Sequence, residues 1–568
     1  MKRDTSRDGL SNRVRYWALT SLRPLWGVTN RHRPLRRMLN RVIVNSAIGF
    51  TRRRPHPFST MFDYTSLDTL RDRTWFARHL PAVKSTPLQP DSDRVVDLFR
   101  RKHGERLSDK STMLFASFAQ WFTDGFLLSD MEDRRRTHSN HELDLSQLYG
   151  LTRDVTLALR QCSEQPGERG RLKSQRRADG EYPPFLYGED GQKQPEFEAL
   201  PEPLGLSQDW PLEKKRTIFA FGGERTNSTP QTAMINVLML REHNRICAEL
   251  ERHYPSWDDE RVFQTARNIV VVIQLRIVIE EYINHISPYH HDLLLDPEVA
   301  WKAPWNRPIW FAVEFNMLYR WHSLIPNVIQ WRGQDYPASD WRHDNGPLLA
   351  VGLGAAFDAS SRQQAGEIHL LNTPDFLLRT EKLAIEQGRR NELASYNDYR
   401  EAMGYPRVTR FEQISSDESI VRGLRDLYGH VDKIEFYVGL FAEDPRPNAA
   451  VPALLGRMVA LDAFSQALVN PLVSEHVFNA QTFSEQGLRI IEQSGRLADL
   501  VARNVGQSGQ FAVYMTQPNV EPKPGTQPRP KPTAEAAQPL PTSAALGGPH
   551  GHGQRTDDHR ALRGLEAP

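Results

Sequence analysis

One twelve-residue stretch, Phe315–Pro326, constrains the fold more than any other part of the chain. Its sequence, FNMLYRWHSLIP, predicts an amphipathic helical segment that ends at Pro326. Tyr319 and His322 are three residues apart, so on a helix they share one face. A neutral imidazole is a common axial ligand of haem iron, and a phenol one turn away is well placed for oxidation. The pair suggests one-electron chemistry; the alternative is a plain core helix whose Tyr and His form hydrogen bonds.

Three further stretches favour the chemical interpretation because they recur with EFNMLYRWHSLIP in a fixed order. They are FASFAQWFTDGF from Phe115 to Phe126, LREHNR at 240–245 and FQTARNIVVVIQLRIVIEEYINHISPYH at 263–290. Together they resemble the animal haem peroxidase superfamily and, within it, the cyclooxygenase branch. The resemblance covers residues 60–515. It implies a mainly α-helical fold in which haem lies between two helices, with few or no strands.

The resemblance implies a role for each residue of the central pair. His322 would be the axial ligand of non-covalently bound haem b. Tyr319 would be oxidised by haem to a radical that takes hydrogen from a polyunsaturated fatty acid before O2 adds. Tyr437, within VDKIEFYVG, would contact His322 directly or through water, and such partners tune a metal site. Ser228 falls where some members carry a glutamate that esterifies haem, so we expect the haem to be non-covalent.

The predicted distal pair, Gln120 and Asp124, departs from the family pattern. The two residues are four apart and share a helix face. The family has a histidine in place of Asp124, which takes a proton from peroxide and returns it to the leaving oxygen. A carboxylate does such work only if burial raises its pKa. An unperturbed carboxylate titrates near pH 4, so we expect weak peroxidase turnover, whereas oxygenase chemistry needs peroxide cleavage only to start.

Arg225 falls where mammalian peroxidases place a distal arginine that cyclooxygenases lack. Two roles remain open from the sequence. The guanidinium could stabilise negative charge on bound peroxide. Alternatively it could pair with Asp124, keep that carboxylate ionised and lower its pKa further.

The resemblance also implies a fatty-acid channel beside Tyr319. Ser465 aligns with the serine that aspirin acylates in the animal enzymes. Leu461 and Asp462 stand where the family has glycine and alanine, so we expect a shorter or bent channel. Ordinary core packing is the alternative for each apolar lining residue. The predicted lining consists of Phe122, Phe126, Val278, Tyr282, Ile283, Ile286, Ser287, Tyr289, Phe315, Leu318, Trp321 and Ser465.

The carboxylate end of a fatty acid lacks its usual partner in this sequence. Animal cyclooxygenases use an arginine near the channel mouth, and an ungapped alignment puts Ser46 or Ala47 there. We therefore expect the carboxylate to be held differently, with Arg41 and Arg52 as the nearest candidates. Tyr289 remains as a hydrogen-bond donor.

A calcium ion is a second candidate cofactor, which the sequence disfavours. Asp144-Leu-Ser-Gln-Leu-Tyr-Gly150 resembles the DxSxxYG text that helps hold calcium in some superfamily members. Calcium needs several oxygen ligands, and only Asp144 and Ser146 supply them. Gly125 stands where an aspartate would be expected.

The two ends of the chain differ in composition from the catalytic region, predicted at 59–516. Fourteen Lys or Arg but only two acids lie in residues 1–54, interleaved with Trp and aliphatic residues. Basic amphipathic helices of this kind lie in the membrane interface, so residues 1–58 are predicted to be a monotopic membrane-binding segment; the alternative is a basic arm packed on the catalytic domain. No run there is long enough to span a bilayer. Residues 517–568, rich in Pro, Gly and His, are predicted to be a disordered tail.

Composition narrows the class of protein. Cys162 and Cys247 are too few for a disulfide framework, and no signal-peptide pattern opens the sequence. We expect an intracellular bacterial protein, in the cytoplasm or peripheral on the inner face of the membrane, with no nucleic-acid partner and an oligomeric state that stays open. The leading hypothesis is a haem-dependent fatty-acid oxygenase that uses O2 or peroxide. The alternatives are a haem peroxidase with a small donor and a non-catalytic, membrane-associated haem-binding protein.

Overall fold

A computed structural model describes residues 10–49, 58–84, 89–207 and 209–526. Helices make up about 49% of the chain and the strands are few and short, which confirms the mainly α prediction. The described residues all fall within one compact unit, Met1–Pro532. The N-terminal segment and the catalytic domain, predicted separately, thus belong to the same unit.

Three helices form the N-terminal part: α1 (Leu10–Ser21), α2 (Arg23–Arg31) and α3 (Arg33–Ile48). Prolines stand in the first turns of α2 and α3, where a missing N–H costs nothing. Helix α3 is tied to the core by Asn40, whose side chain exchanges hydrogen bonds with the backbone of Leu294. Arg37 adds an ion pair with Asp296 at 2.8 Å. The N-terminal part is therefore docked on the catalytic region.

The remaining helices build the catalytic region around one apolar core. They are α4 (Leu67–Arg71), α5 (Ser92–Val96), α6 (Met113–Asp124), α7 (Ser146–Tyr149), α8 (Arg153–Leu159), α9 (Leu212–Lys215), α10 (Pro230–His253), α11 (Asp259–Ile277), α12 (Asn284–Ile286), α13 (Glu298–Trp301), α14 (Val313–Leu318), α15 (Gly346–Val351), α16 (Leu353–Arg362), α17 (Leu378–Arg390), α18 (Tyr396–Ala402), α19 (Glu418–Tyr428), α20 (Phe436–Ala442), α21 (Ala453–Leu468), α22 (Ala480–Glu492) and α23 (Leu497–Asn504).

Helices α10 and α11 are the centre of this core. The Thr229 hydroxyl caps α10 by accepting from the backbone N–H of Thr232, and Pro230 occupies the first turn. Helix α10 packs against α11, α6 and α16. Helix α11 continues through a π-helical segment, Val278–Ile283, into α12; such segments are frequent at functional sites. The combined 28 residues Asp259–Ile286 are apolar and long enough to cross a membrane, but 78% of the most apolar window is buried within the protein.

The segment around Tyr319 and His322 differs from its prediction. Helix α14 ends at Leu318, and His322 begins a single 3-10 turn that ends at Leu324. Trp321, with φ −92° and ψ 53°, lies outside both helical pieces. A continuous helix up to Pro326, with Tyr319 and His322 on one face, was therefore wrong. Long-range packing separates the two side chains: the tyrosine ring lies among aromatic rings and the imidazole lies beside α17.

The strands form four two-stranded antiparallel sheets: β1 (Phe58–Ser59) with β2 (Ala77–Arg78), β3 (Leu107–Thr112) with β8 (Gln364–Gly366), β4 (Gln175–Arg177) with β5 (Gly180–Tyr182), and β6 (Val328–Trp331) with β7 (Gln334–Pro337). Strand β3 leads directly into α6, and β8 follows α16, so their pairing joins the two helices. The β6–β7 hairpin turns through Arg332 and Gly333, both at positive φ, as a two-residue hairpin turn requires.

The start of the predicted tail belongs to the folded protein. Residues 517–526 are described, and Lys523 Nζ donates hydrogen bonds to Asn284 Oδ1 at 2.6 Å and to the carbonyl of His291 at 2.8 Å. Asn30 Nδ2 donates to the carbonyl of Pro524. The prediction of disorder was therefore wrong for these ten residues, because buried polar contacts with α2 and α12 hold them. Residues 527–568 lie outside the described part of the chain.

Candidate functional site

His322 faces a buried carboxylate that the sequence did not single out. Glu381, on the first turn of α17, is 1% exposed. Its Oε1 lies 3.1 Å from His322 Nδ1, within ion-pair distance although the angle is not that of a hydrogen bond. The same oxygen accepts a hydrogen bond from the Thr373 hydroxyl at 2.8 Å. The imidazole therefore presents Nδ1 to Glu381 and leaves Nε2 for another partner.

Tyr437 reaches this site through Glu381. Its hydroxyl donates to Glu381 Oε2 at 2.5 Å and lies 3.4 Å from the carbonyl of Arg320. Burial raises the pKa of Tyr437 well above its ordinary value, and the neighbouring carboxylate adds to the rise. Tyr437 was predicted to contact His322 directly or through water. Glu381 instead bridges the two side chains, and no motif in the sequence indicated this role.

A second buried carboxylate, Asp124, ends helix α6. Asp124 is 4% exposed, and its Oδ2 has no hydrogen-bond partner within the described chain. Burial raises the pKa of Asp124 well above its ordinary value, against the opposing effect of the Arg225 charge. We expected a low pKa at this position, and the structure gives the opposite direction because desolvation outweighs the nearby arginine. The companion residue, Gln120, donates from Nε2 to the Ser228 hydroxyl at 2.5 Å.

Arg225 does not form the ion pair with Asp124 that was one of its two predicted roles. Its Nη1 donates to the carbonyl of Leu127 at 2.6 Å, and its Nη2 lies 3.5 Å from Glu224 Oε1. The guanidinium is close enough to Asp124 to lower the pKa of that carboxyl. The ion-pair alternative is therefore not met in the structure, and the role on bound peroxide stays a prediction.

Tyr319 lies in a shell of aromatic rings. Its ring centroid is 5.1 Å from Phe315 and 5.1 Å from Trp321. Phe122 and Phe126, each at 6.2 Å, complete the shell from α6. The Tyr319 hydroxyl is buried and forms no hydrogen bond of good geometry within the described residues, but the Tyr282 hydroxyl lies close enough to lower its pKa. Burial raises the pKa of Tyr319 well above its ordinary value, so the phenol holds its proton at neutral pH.

A buried histidine–aspartate pair lies near the Tyr319 hydroxyl. His79 Nε2 and Asp462 Oδ2 are 2.9 Å apart, and both side chains are almost fully buried. The Asp462 charge adds to the rise in the pKa of Tyr319, after burial. Asp462 was singled out only for its size, and His79 lies 383 residues away in sequence. Sequence reasoning therefore missed the pair.

The predicted channel residues fall into two groups. Ile283, Ile286, Ser287 and Tyr289 line one cavity of about 90 Å³, between α3 and the catalytic core. The other predicted lining residues are buried side chains of the core: Phe122, Phe126, Val278, Tyr282, Phe315, Leu318, Trp321 and Ser465. The hydroxyl of Ser465 donates to the carbonyl of Leu461 in its own helix. The structure thus brings together a cavity and an adjacent aromatic core.

The cavity carries positive charge in an otherwise mainly apolar lining. Arg446 and Arg457 are its charged lining residues, and the described residues that line it include no acidic side chain. The Arg446 guanidinium lies over the rings of Tyr16 at 4.7 Å and Tyr405 at 5.5 Å. Burial lowers the pKa of Arg457, with Tyr405 acting in the opposite direction. Such a cavity suits an anion with an apolar chain.

The two arginines predicted to anchor a carboxylate do not lie in this cavity. Arg41 is half-exposed and pairs with Glu298 at 3.2 Å, and it is not a lining residue of the cavity. Arg52 lies outside the described residues. The arginines that line the cavity are Arg446 and Arg457. They lie far in sequence from the position that the ungapped alignment indicated. A lone arginine on an apolar helix, as Arg457 is on α21, is the only local signal.

The calcium motif makes local hydrogen bonds. Asp144 Oδ2 accepts from the Asn140 side chain at 2.6 Å, and Oδ1 accepts from the backbone N–H of Ser146 at 2.8 Å. The Ser146 hydroxyl donates to the carbonyl of Gly125. No group of three or more His, Cys, Asp or Glu side chains in the described residues is arranged to hold a metal ion.

The residues that would face a haem have side chains suited to binding this cofactor. A porphyrin supplies four of the iron ligands, so one imidazole nitrogen suffices from the protein. His322 offers Nε2 because Nδ1 is turned to Glu381. Asp124 offers a buried oxygen without a partner, and Gln120 is half-buried beside it on α6. Of these three side chains, Asp124 has a buried oxygen that lacks a partner within the described residues, whereas Gln120 is already bonded to Ser228.

Comparison with known proteins yields a family model, curated relatives and solved structures. The model for "Animal haem peroxidase" matches residues 132–516, which begin just after α6. Prostaglandin G/H synthase 2 of Bos taurus is 31% identical over 508 residues, with 86% of this chain and 80% of that protein covered. The Cavia porcellus protein of the same name is 32% identical over 509 residues, with the same shares covered.

Two solved structures share the fold at low sequence identity. Peroxidase A of Dictyostelium discoideum superposes with a TM-score of 0.63 at 18% identity, over 78% of this chain and 95% of that one. Fatty acid alpha-dioxygenase of Oryza sativa, in a variant solved with palmitic acid, superposes with a TM-score of 0.65 at 16% identity, over 88% and 95%. At these identities the likeness shows the fold alone.

Proposed function

The chain belongs to the animal haem peroxidase family, and from that premise we propose that it is a fatty-acid oxygenase whose reaction runs through Tyr319. The family and the prostaglandin synthase relatives make it a haem-dependent oxidoreductase of the cyclooxygenase or dioxygenase type. The finer proposal is that oxidised Tyr319 takes a hydrogen atom from a polyunsaturated fatty acid, after which O2 adds to the carbon radical. We further propose that the cofactor is haem b, held without a covalent bond.

The burial of the Tyr319 hydroxyl is the observation that carries this proposal. The hydroxyl is buried beneath four aromatic rings, and its nearest polar neighbours include the Tyr282 hydroxyl. A dry site protects a reactive intermediate from side reactions. The phenol must lose a proton together with an electron, and the His79–Asp462 pair is the nearby group that can receive it.

The residues around the haem site would divide the remaining work. Haem, when bound, would be oxidised by peroxide and would in turn take an electron from Tyr319. His322 would hold the iron through Nε2. Asp124 would move a proton to or from bound peroxide, and Arg225 would stabilise negative charge there. Gln120, on the same face of α6, would donate a hydrogen bond.

The cavity beneath α3 suits the carboxylate end of the substrate. Arg446 and Arg457 supply positive charge, and Tyr289 can donate a hydrogen bond. The volume of about 90 Å³ is below the roughly 300 Å³ of the smallest usual ligand pockets. The cavity would therefore take the head group and the first methylene groups, and the aromatic core around Tyr319 would have to open for the rest of the chain.

A test of the carboxylate site uses binding rather than turnover. A charge-assisted contact is about twice as strong as a neutral one, and its loss should weaken fatty-acid binding by about tenfold. Arg457→Gln should therefore lower the affinity for linoleate and leave that for methyl linoleate unchanged, as measured by displacement of a fluorescent fatty acid. Arg41→Gln, which removes an arginine outside the cavity, is the matched control. Equal affinities of wild type for acid and ester would contradict the site.

The N-terminal helices suit contact with a lipid surface. Val14, Trp17, Leu25, Val28 and Val42 each expose more than half of their surface on a segment rich in arginine. Amphipathic helices of this kind bind the interface of anionic membranes. We therefore keep peripheral membrane contact as part of the proposed function. The alternative of a basic arm packed on the core accounts for the buried residues of α3 but not for these exposed ones.

A peroxidase with a small reducing donor is the second candidate function, and the burial of Asp124 favours it. A carboxyl whose pKa is raised toward neutrality is better matched to acid–base work than an ordinary aspartate. The expectation of weak peroxidase turnover rested on a low pKa and loses that support. Tyr319 would then be incidental to turnover.

The deciding experiment measures oxygen consumption by the haem-loaded protein with linoleate or arachidonate, with and without a trace of peroxide. Wild type should consume oxygen, and Tyr319→Phe should abolish the consumption while the haem absorption stays normal. Tyr336→Phe, in the β6–β7 hairpin, is the matched control and should behave as wild type. Persistent oxygen uptake in Tyr319→Phe overturns the proposal. Peroxide-dependent oxidation of a phenol without fatty-acid-dependent uptake supports the peroxidase instead.

A further inference from the structure

We propose that Glu381 is a positioning residue for His322: its carboxylate fixes the ring through Nδ1 and makes the imidazole a more electron-donating ligand. This inference rests on the proposed role of His322 as the iron ligand and goes beyond it. Nothing in the local sequence around Glu381 resembles a site motif, and its assignment comes from the tertiary contacts.

The geometry leaves little freedom to the carboxylate. Oε2 accepts from the Tyr437 hydroxyl at 2.5 Å, and Oε1 accepts from the Thr373 hydroxyl at 2.8 Å. The distance of 3.1 Å from Oε1 to His322 Nδ1 is one that a small rotation of the ring would convert into a hydrogen bond. Because helix α17 is anchored in the core, the carboxylate provides a fixed reference for the imidazole.

Contact at Nδ1 has a direct chemical consequence. A metal-bound histidine usually donates its other N–H to a carboxylate, carbonyl or water, which sets its tautomer and raises its basicity. A carboxylate does this more strongly than a neutral acceptor because it attracts the imidazole proton electrostatically. His322 would therefore carry its proton on Nδ1 and present an electron-rich Nε2.

The buried charge has a counter-charge nearby. Arg320 precedes His322 by two residues, is half-buried and lies close enough to interact with Glu381 and Tyr437. A guanidinium is charged at neutral pH. Arg320 Nη2 donates to Asn316 and Gln387 and so leaves both Glu381 oxygens to Tyr437, Thr373 and His322. A buried carboxylate with such partners is stabilised without being neutralised by direct pairing.

A purely structural role is the alternative, in which Glu381 only satisfies Tyr437 and Thr373. The two roles differ in what they do to iron. A structural carboxylate affects stability, whereas a carboxylate that acts through the imidazole favours the higher charge on the metal and so lowers the ferric/ferrous midpoint potential. The measurement must therefore be made on the metal and not on activity.

The test is spectroelectrochemical titration of the full-length haem-loaded protein. Glu381→Gln keeps the shape and removes the charge, so its midpoint potential should shift to a more positive value. Tyr437→Phe removes a donor that weakens the carboxylate, so its potential should shift to a more negative value. Glu386→Gln, on the same helix but bonded to Ser92, is the matched control and should give the wild-type potential.

Opposite shifts in the two variants support the proposal, because a structural role predicts no such pair of signs. An unchanged potential in Glu381→Gln overturns it. If Glu381→Gln fails to load haem, Tyr437→Phe decides: a negative shift supports the proposal and any other result overturns it. If His322 is not the iron ligand, His322→Gly should keep the wild-type haem spectrum. Failure of that assignment can therefore be distinguished from failure of the proposal for Glu381.

Discussion

The two sides of the candidate haem site each contain one buried carboxylate, and the two carboxylates differ in their hydrogen bonding. Glu381 accepts hydrogen bonds at both oxygens and faces His322 at 3.1 Å. Asp124 is equally buried, but its Oδ2 has no partner within the described chain. Hydrogen bonds to a carboxylate stabilise its charged form, whereas burial raises the pKa, as it does for Asp124. Glu381 therefore suits positioning and Asp124 suits proton transfer.

The largest expected difference between the two carboxylates is in folding stability. Glu381→Leu should lower the free energy of unfolding by about 3 kcal/mol, because it leaves the Tyr437 and Thr373 hydroxyls without their acceptor beside the half-buried Arg320. Asp124→Leu should cost under about 1 kcal/mol or stabilise, because it removes a buried polar group that lacks a partner. Urea unfolding of the two variants measures both values. Equal losses would show that Asp124 has a partner in solution.

The next largest effect is on the rate of peroxide cleavage, for which Asp124 should matter more than Glu381. Asp124→Asn should slow reduction of peroxide by about a hundredfold, a typical contribution of a general acid–base group, and should leave haem binding intact. Asp124→His should raise the rate toward a small phenol above that of wild type. Stopped-flow measurement of the reaction with peroxide gives these rates. An unchanged rate in Asp124→Asn would remove Asp124 from the distal role and leave Arg225 and Gln120 as its candidates.

The smallest effect is a pH dependence of stability that belongs to Asp124. The folded-state pKa of this carboxyl is raised by burial, so the folded protein binds its proton more tightly than the unfolded chain does. Its contribution to stability is present below the unfolded pKa of about 4 and is lost as pH rises toward the folded pKa. The stability of wild type relative to Asp124→Asn should therefore fall as pH is raised above about 4. A relative stability that increases with pH would mean that the folded pKa is depressed.

The sequence alone determined the fold class and the identities of several candidate site residues. Tyr319, His322, Gln120 and Asp124 lie within short motifs, and a motif can be recognised without knowledge of what surrounds it. The stretch 263–290 was recognised as a family motif, and α11, its π-helical extension and α12 occupy it up to Ile286. Such features depend on neighbours in the chain, so they are visible before folding.

Tertiary structure decided the partners and the electrostatics of those residues. Glu381 meets His322, and Asp462 meets His79 across 383 residues, through contacts that no local pattern encodes. Helix α14 ends at Leu318 and not at Pro326. The pKa of Asp124 rises because desolvation outweighs Arg225, and desolvation depends on every element packed around a side chain. The sequence thus determined which residues are candidates for the site, whereas the fold determined the partners and the electrostatic environment of each.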